Sequence, residues 1–193
     1  MTELSVPQQK AGLRRRLREA LAQMPPAARE AASAQARALL LTQRIWRNAR
    51  SVLLFAPQTW ELDIWPLISE ALAAGKLAAL PRFRPAAERY TACQIRHPAE
   101  DVAPGRFGIR EPVEGCAEVP LERLDLVLVP GLAFDPHGWR LGRGGGVFDR
   151  LLSTTQAVKC GVGFDEQLVP EVPVEPHDVQ VDCILTPSRW VEV

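Results

Sequence analysis

The stretch with the most chemical content is Val129-Pro-Gly-Leu-Ala-Phe-Asp-Pro-His-Gly-Trp-Arg-Leu-Gly-Arg-Gly-Gly-Gly-Val-Phe-Asp-Arg150. It reads as a strand end, a loop and a helix start. Backbone N–H groups at such a junction are free, and the helix dipole adds a positive end, so the junction suits an anion. Gly142, Gly144, Gly145 and Gly146 let the backbone approach a phosphate and adopt positive φ. Arg140, Arg143 and Arg150 add charge and forked donors. The loop fits neither G-x-x-x-x-G-K-[ST] nor G-x-G-x-x-G. On residue chemistry two readings stand: a phosphate-binding loop, and a tight glycine turn carrying exposed arginines. Asp149 also has two. It is either a carboxylate serving the helix dipole, worth about 0.3–1 kcal/mol, or a Mg2+ ligand, since that cation favours one or two carboxylates with phosphate oxygens and water.

Other reactive side chains are sparse. Cysteines stand at 93, 116, 160 and 183, without C-x-x-C or zinc-finger spacing. The expectation is reduced, mostly buried thiols. His97 and His137 fall in loops, and His177 precedes Asp178, which it either orients or flanks on the surface.

The elements that must position the loop follow from periodicity. A helix over about Pro7–Met24 places Leu13, Leu17, Leu21 and Met24 on one stripe, with Lys10, Arg14 and Arg18 in a row beside it. Pro25-Pro26 stops it, and a second helix runs from Ala27 to about Arg47. Ser51–Ala56 reads as a buried strand, Ile64–Ala74 as a helix closed by Gly75, and Leu77–Leu80 as a strand stopped by Pro81. Thr91–Arg96 is a further candidate strand. Leu124–Val129 is the clearest strand, followed by the loop, a helix over about Val147–Gln156, and strands at Lys159–Phe164 and Val181–Thr186, the last expected. Alternating strands and helices imply an α/β layered domain with a mostly parallel sheet.

The whole composition agrees. A length of 193 residues fits one domain or at most two small ones, and 47% apolar with 24% charged residues is an ordinary globular mixture. A net charge of +0 argues against a nucleic-acid binder that needs a basic footprint. No apolar run is long enough for a membrane helix, and the polar N-terminus lacks a signal peptide's apolar stretch, so a cytoplasmic protein is expected. The charge is uneven along the chain. Residues 1–50 carry one Lys and nine Arg against three Glu, and residues 160–193 carry seven acids against one Arg. The basic arm is either a solvated helix face with snorkelling arginines or a surface facing an anionic ligand.

The segment from Pro130 to Arg150 resembles the signature of the 5-formyltetrahydrofolate cyclo-ligase family, also called methenyltetrahydrofolate synthetase. The resemblance extends over nearly the whole chain: Lys10-x-x-x-Arg14, Glu61, Gly75-Lys76 with Leu80-Pro81-Arg82, Gly108-Ile-Arg-Glu-Pro112, and Pro173-x-x-Pro-His177-Asp178. It implies a three-layer Rossmann-like α/β sandwich similar to sugar-phosphate isomerases and CoA transferases. It also implies ATP- and Mg2+-dependent conversion of 5-formyltetrahydrofolate to 5,10-methenyltetrahydrofolate, ADP and phosphate. In that reaction the formyl oxygen attacks the γ-phosphate, N10 closes the ring, and phosphate leaves. Matching positions assigns ATP to Lys10, Arg14, Arg140, Gly142, Arg143, Gly144, Gly145, Gly146, Val147 and Phe148. It assigns folate to Ala56, Glu61, Arg143 and Phe148, and Mg2+ to Asp149 and Asp178. Trp60, Phe134, Trp139 and Phe148 are candidate ring-pocket aromatics or plain packing. The chain departs from the family where two tyrosines usually precede the signature Asp; here they are Val147 and Phe148. Two other readings remain: a non-catalytic folate or nucleotide binder, and a sugar-phosphate isomerase. The expected partners are the small molecules ATP and folate, with no nucleic acid and no membrane, and the expected state is a monomer.

Overall fold

A computed structural model describes residues 4–87, 89–105 and 108–193, Val147 by its backbone alone. Its frame is an eight-stranded sheet. The central strands are apolar runs buried on both faces, as a covered parallel sheet requires. They are β1 (Ser51–Leu53), β2 (Leu77–Arg84), β7 (Leu126–Pro130), β10 (Val158–Val162) and β11 (Cys183–Leu185). The edges are antiparallel: β3 (Arg89–Ile95) pairs with β2, β6 (Glu118–Val119) with β3, and β12 (Trp190–Glu192) with β11. The order is β12-β11-β10-β7-β1-β2-β3-β6, so β1 lies between β2 and β7, both parallel to it.

Side-chain alternation divides the core into two layers. Val52, Leu54, Leu80, Leu126, Leu128, Val162 and Leu185 meet helices α2 (Pro26–Thr42), α3 (Arg44–Asn48) and α4 (Leu67–Ala73). Leu53, Ala79, Val127, Val129 and Ile184 face the other way, toward Leu151 and Leu152 of α5 (Val147–Leu152). The architecture is therefore the expected α/β sandwich with a mostly parallel sheet.

Four boundaries differ from the sequence reading. The second helix is two: Gln43 turns to extended backbone, ψ 143°, between α2 and α3. Pro81 does not stop β2. It stops only the pairing with β1, because it has no N–H for the bond that would follow Leu54 N–H to Ala79 O, 2.9 Å. The strand runs on to Arg84 against β3 alone. The helix after the glycine loop ends at Leu152, where the Thr155 hydroxyl bonds the Leu121 carbonyl and receives Ala157 N–H. Val181–Thr186 is not the last strand, since β12 follows it.

Two short ribbons lie outside the main sheet, and the glycine loop follows the first of them directly. Strands β8 (Ala133–Phe134) and β9 (Arg140–Leu141) form a hairpin, while β4 (Val102–Pro104) and β5 (Arg110–Pro112) form another. Within the motif Gly108–Pro112 the strand begins at Arg110. Fully buried Asp135 shapes the first hairpin by accepting the N–H groups of His137, Trp139 and Val172 at 2.9–3.0 Å. Gly138 completes the turn at φ +81°, where a side chain would strike the Val181 carbonyl.

Candidate functional site

Helix α1 (Val6–Ala22) lays its leucine stripe on that hairpin. Leu13 and Leu17 pack with Ala133, Leu141, Val169 and Val172. This orients the basic row. Arg14 Nε donates to the Gly142 carbonyl at 2.9 Å, and its guanidinium lies against Gly144. Lys10, one turn earlier, is buried and donates to Glu175 Oε2 at 2.7 Å and Asp178 Oδ2 at 2.6 Å. Burial opposes the ammonium charge, but these bonds prevail and raise the Lys10 pKa above the ordinary lysine value. Burial also opposes the Asp178 charge; the Lys10 bond and the Glu175 N–H hold its pKa below the ordinary value. Arg18 is exposed.

The strand order reverses between β1 and β7, and a crevice opens at their carboxyl ends, the usual ligand position in open α/β sheets. The crevice holds a cleft of about 230 Å3. One wall is Phe55, Ala56 and Glu61 from the segment after β1, with Pro81 and Tyr90 from β2 and β3. The other is Pro130, Gly131, Arg140, Gly142, Arg143, Gly145, Gly146, Phe148 and Asp149. Ile109, Arg110 and Glu111, from β5 and the residue before it, border the cleft as well.

One charge pair lies along a wall of this space and another crosses it. Arg140 is 4% exposed and donates to Asp149 Oδ1 at 2.6 Å and to the Pro130 carbonyl at 3.3 Å. Arg143 bridges to the Glu61 carboxylate, joining the glycine loop to the β1 segment. Glu61 Oε2 also accepts Gln58 N–H at 2.9 Å. The Trp60 ring lies 5.5 Å from the Arg143 guanidinium. Gly144 and Gly146 take φ +107° and +60°, a region other residues adopt at a cost.

The expected residues thus fall into two groups. Arg140, Gly142, Arg143, Gly145, Gly146, Phe148, Asp149, Ala56 and Glu61 line one cleft. Lys10, Arg14, Gly144 and Asp178 stand outside its lining; Arg14 holds the loop at Gly142, and Lys10 ties α1 to the 173–178 segment. Val147 opens α5, but its side chain lies outside the described residues. Asp149 and Asp178 are each ion-paired, and no cluster of three or more His, Cys, Asp or Glu suited to a metal occurs among the described residues. Two candidate aromatics are core. Phe134 is fully buried with its ring against Gly131 and Gly161, and Trp139 packs on the α1 hairpin cluster. His177 is exposed, 3.8 Å from Asp178 Oδ1. All four cysteines are free, with Cys93, Cys160 and Cys183 buried. Glu175, Tyr90 and Arg110 were not singled out from sequence. Arg110 and Glu111 stood within a noted motif, but spacing gave no chemistry for them.

The model of the 5-formyltetrahydrofolate cyclo-ligase family matches residues 6–187. The chain belongs to this family. The 5-formyltetrahydrofolate cyclo-ligase of Escherichia coli (strain K12) is 38% identical over 145 residues, covering 73% of this chain and 80% of that one. That of Mycolicibacterium smegmatis is 34% identical over 197 residues, covering 96% and 97%. The NMR structure of Aquifex aeolicus 5,10-methenyltetrahydrofolate synthetase superposes with a TM-score of 0.86 at 31% identity, covering 95% of this chain and 92% of that one. Family membership places the chain among ATP-dependent ligases acting on folate and sets aside the isomerase reading. No helix among the described residues is long and apolar enough to cross a membrane.

Proposed function

We propose that the crevice between β1 and β7 holds 5-formyltetrahydrofolate on the Glu61 side and the ATP phosphates on the glycine-loop side. The observation that carries this is the placement of a buried carboxylate and an arginine–glycine loop on facing walls of one cleft, tied by the Arg143–Glu61 bridge. Glu61 suits the donor edge of a pterin, being an acceptor with two oxygens. The N–H groups around Gly144 and Gly146, with Arg140 and Arg143, suit phosphate oxygens. Arg14 fixes the loop through Gly142, and Lys10 fixes α1. The chain's task is then positioning and charge stabilisation: the formyl oxygen attacks the γ-phosphorus in line and ADP leaves, N10 closes the ring at the formyl carbon and gives up its proton, and phosphate carries the former formyl oxygen away.

Asp149 fits a Mg2+ ion by chemistry, being a carboxylate on the cleft wall beside the loop. Asp178 fits less well, because Oδ2 already accepts both Lys10 and the Glu175 N–H at 2.6–2.7 Å. Bound there, Mg2+ would neutralise phosphate charge. We take the whole chain as one domain, since its single large sheet draws on residues 51–192 and α1 packs onto the loop hairpin. A cytoplasmic monomer with reduced thiols completes the reading.

The test mixes protein, ATP, Mg2+ and 5-formyltetrahydrofolate and follows the near-ultraviolet methenyl absorbance. One ADP should form per methenyl product. Equal product without ATP, above the no-enzyme cyclisation control, overturns the proposal.

A further inference from the structure

Arg143 is loosely held. It stands between Gly142 and Gly144, so no neighbouring side chain packs its stem, and Gly144 takes φ +107°. Its side chain is 37% exposed, against 3% for that of Arg140. Among the described residues the Arg143 guanidinium has two partners. One is the Glu61 carboxylate, and the other is the Trp60 ring, which it overlies at 5.5 Å from the centroid.

Both partners come from one turn. Glu61 N–H donates to the Gln58 carbonyl at 3.0 Å, and Glu61 Oε2 accepts the Gln58 N–H at 2.9 Å, which closes residues 58–61 on themselves. Leu62 and Ile64 are buried in the core and anchor the turn. Trp60 is 39% exposed and stands outside the cleft lining, so its ring neither fills the core nor forms the cleft wall. A solitary exposed ring is ordinary on a protein surface. This one overlies the guanidinium that crosses the cleft. While Glu61 holds Arg143, the ring meets a nearly neutral pair. Once the carboxylate turns to another donor, the ring meets the whole cationic charge, and its quadrupole is the local attraction that remains to a long, flexible side chain.

We propose that Trp60 is a positioning residue: it keeps the Arg143 guanidinium at the cleft after folate has drawn Glu61 out of the bridge, so that Arg143 is in place for the ATP phosphates. The inference rests on the reading of the cleft proposed above. Trp60 acts through Arg143 and not on a reacting group. Its effect is therefore confined to the folate-bound enzyme, because in the folate-free enzyme Glu61 does the holding. A released guanidinium without the ring would spread over many rotamers in solvent, and ATP would have to order it again on binding.

The experiment titrates a non-hydrolysable ATP analogue with Mg2+ by calorimetry, with and without saturating 5-formyltetrahydrofolate. The proteins are wild type, Trp60→Leu, Trp60→Phe, Arg143→Gln and the Trp60→Leu/Arg143→Gln double variant. Without folate, wild type and Trp60→Leu should bind the analogue equally. With folate, Trp60→Leu should bind it about three- to fivefold more weakly than wild type, and Trp60→Phe, which keeps a ring face, should recover part of the loss. By reciprocity, folate binding to the analogue-saturated enzyme should lose the same factor. In the Arg143→Gln background, Trp60→Leu should change nothing further. Equal losses with and without folate overturn the proposal, as does a Trp60→Phe variant as weak as Trp60→Leu, or a loss that persists without Arg143. A wild type that binds both ligands, with Trp60→Leu inert, defeats this inference alone. A wild type that binds neither defeats the reading of the cleft as well.

Discussion

Asp149 concentrates the chemistry available to single residues. Its carboxylate meets a nearly buried guanidinium whose Nε finds no other partner among the described residues. Sequence alone left it between dipole stabiliser and metal ligand, and the short α5 weakens the first reading. We expect Asp149→Asn to keep the shape and to lower kcat/KM at least tenfold, about 1.4 kcal/mol of transition-state stabilisation. A Mg2+ titration of the variant should shift to higher concentration. Full activity with a lowered Tm would mean that Asp149 only neutralises Arg140. Phe148 is the companion case. It is half-buried, packs on both core layers and lines the cleft. Phe148→Tyr adds one hydroxyl to a ring that lines the cleft and is only half-buried, where overpacking costs least. Efficiency or ATP affinity should rise severalfold, with a ceiling of about 1.5–3 kcal/mol for a hydrogen bond to a charged group. Unchanged or reduced kcat/KM would show that the loop has adapted to the missing hydroxyl.

Helix α1 shows what an element adds beyond its residues. Its leucine stripe and basic row were legible because helical period is written in the sequence, and so was the alternation that gave the sheet. What the row touches was not legible: Glu175 lies 165 residues from Lys10. Boundaries set by tertiary contacts also escaped. Pro81 reads as a stop, yet only one of its two neighbouring strands needs its N–H. The α2–α3 break at Gln43 carries no glycine or proline. Lys10→Met should leave two acids without their cation and destabilise the protein by about 3 kcal/mol, as for a broken buried pair. The pH dependence has a definite sign. Asp178 has a lowered folded pKa, so its contribution is present above the ordinary carboxylate value of about 3.9 and is lost as pH falls through the folded value. Lys10 has a raised folded pKa, so its contribution is complete below about 10.4 and is lost as pH rises through the folded value. The stability difference between wild type and Lys10→Met, from urea unfolding, should therefore be flat from about pH 5 to 9 and shrink on either side. A difference that instead changes near pH 6–7 would implicate another group.

The molecule as a whole decides where these pieces meet. The glycine loop announced itself in the sequence as a contiguous cluster. The cleft did not, because its facing wall comes from residues 55–61, 81 and 90 and is assembled only when β1 enters the sheet beside β7. The Arg143–Glu61 bridge crosses that junction, over 82 positions of chain. If Arg143 serves phosphate and Glu61 serves pterin, each ligand must draw one partner out of the bridge, and the second ligand then finds its group already released. ATP and folate binding should accordingly be linked, each tightening the other by the same factor. Folate titrations with and without a non-hydrolysable ATP analogue would give that factor for wild type, Glu61→Gln, Arg143→Gln and the double variant. We expect several-fold tightening in wild type, loss of the linkage in each single variant, and no further loss in the double. The coupling energy from that cycle should fall within about 0.5–3 kcal/mol, the range for side chains in direct contact. Independent, additive effects of the two substitutions would reduce the bridge to a structural tie between the walls.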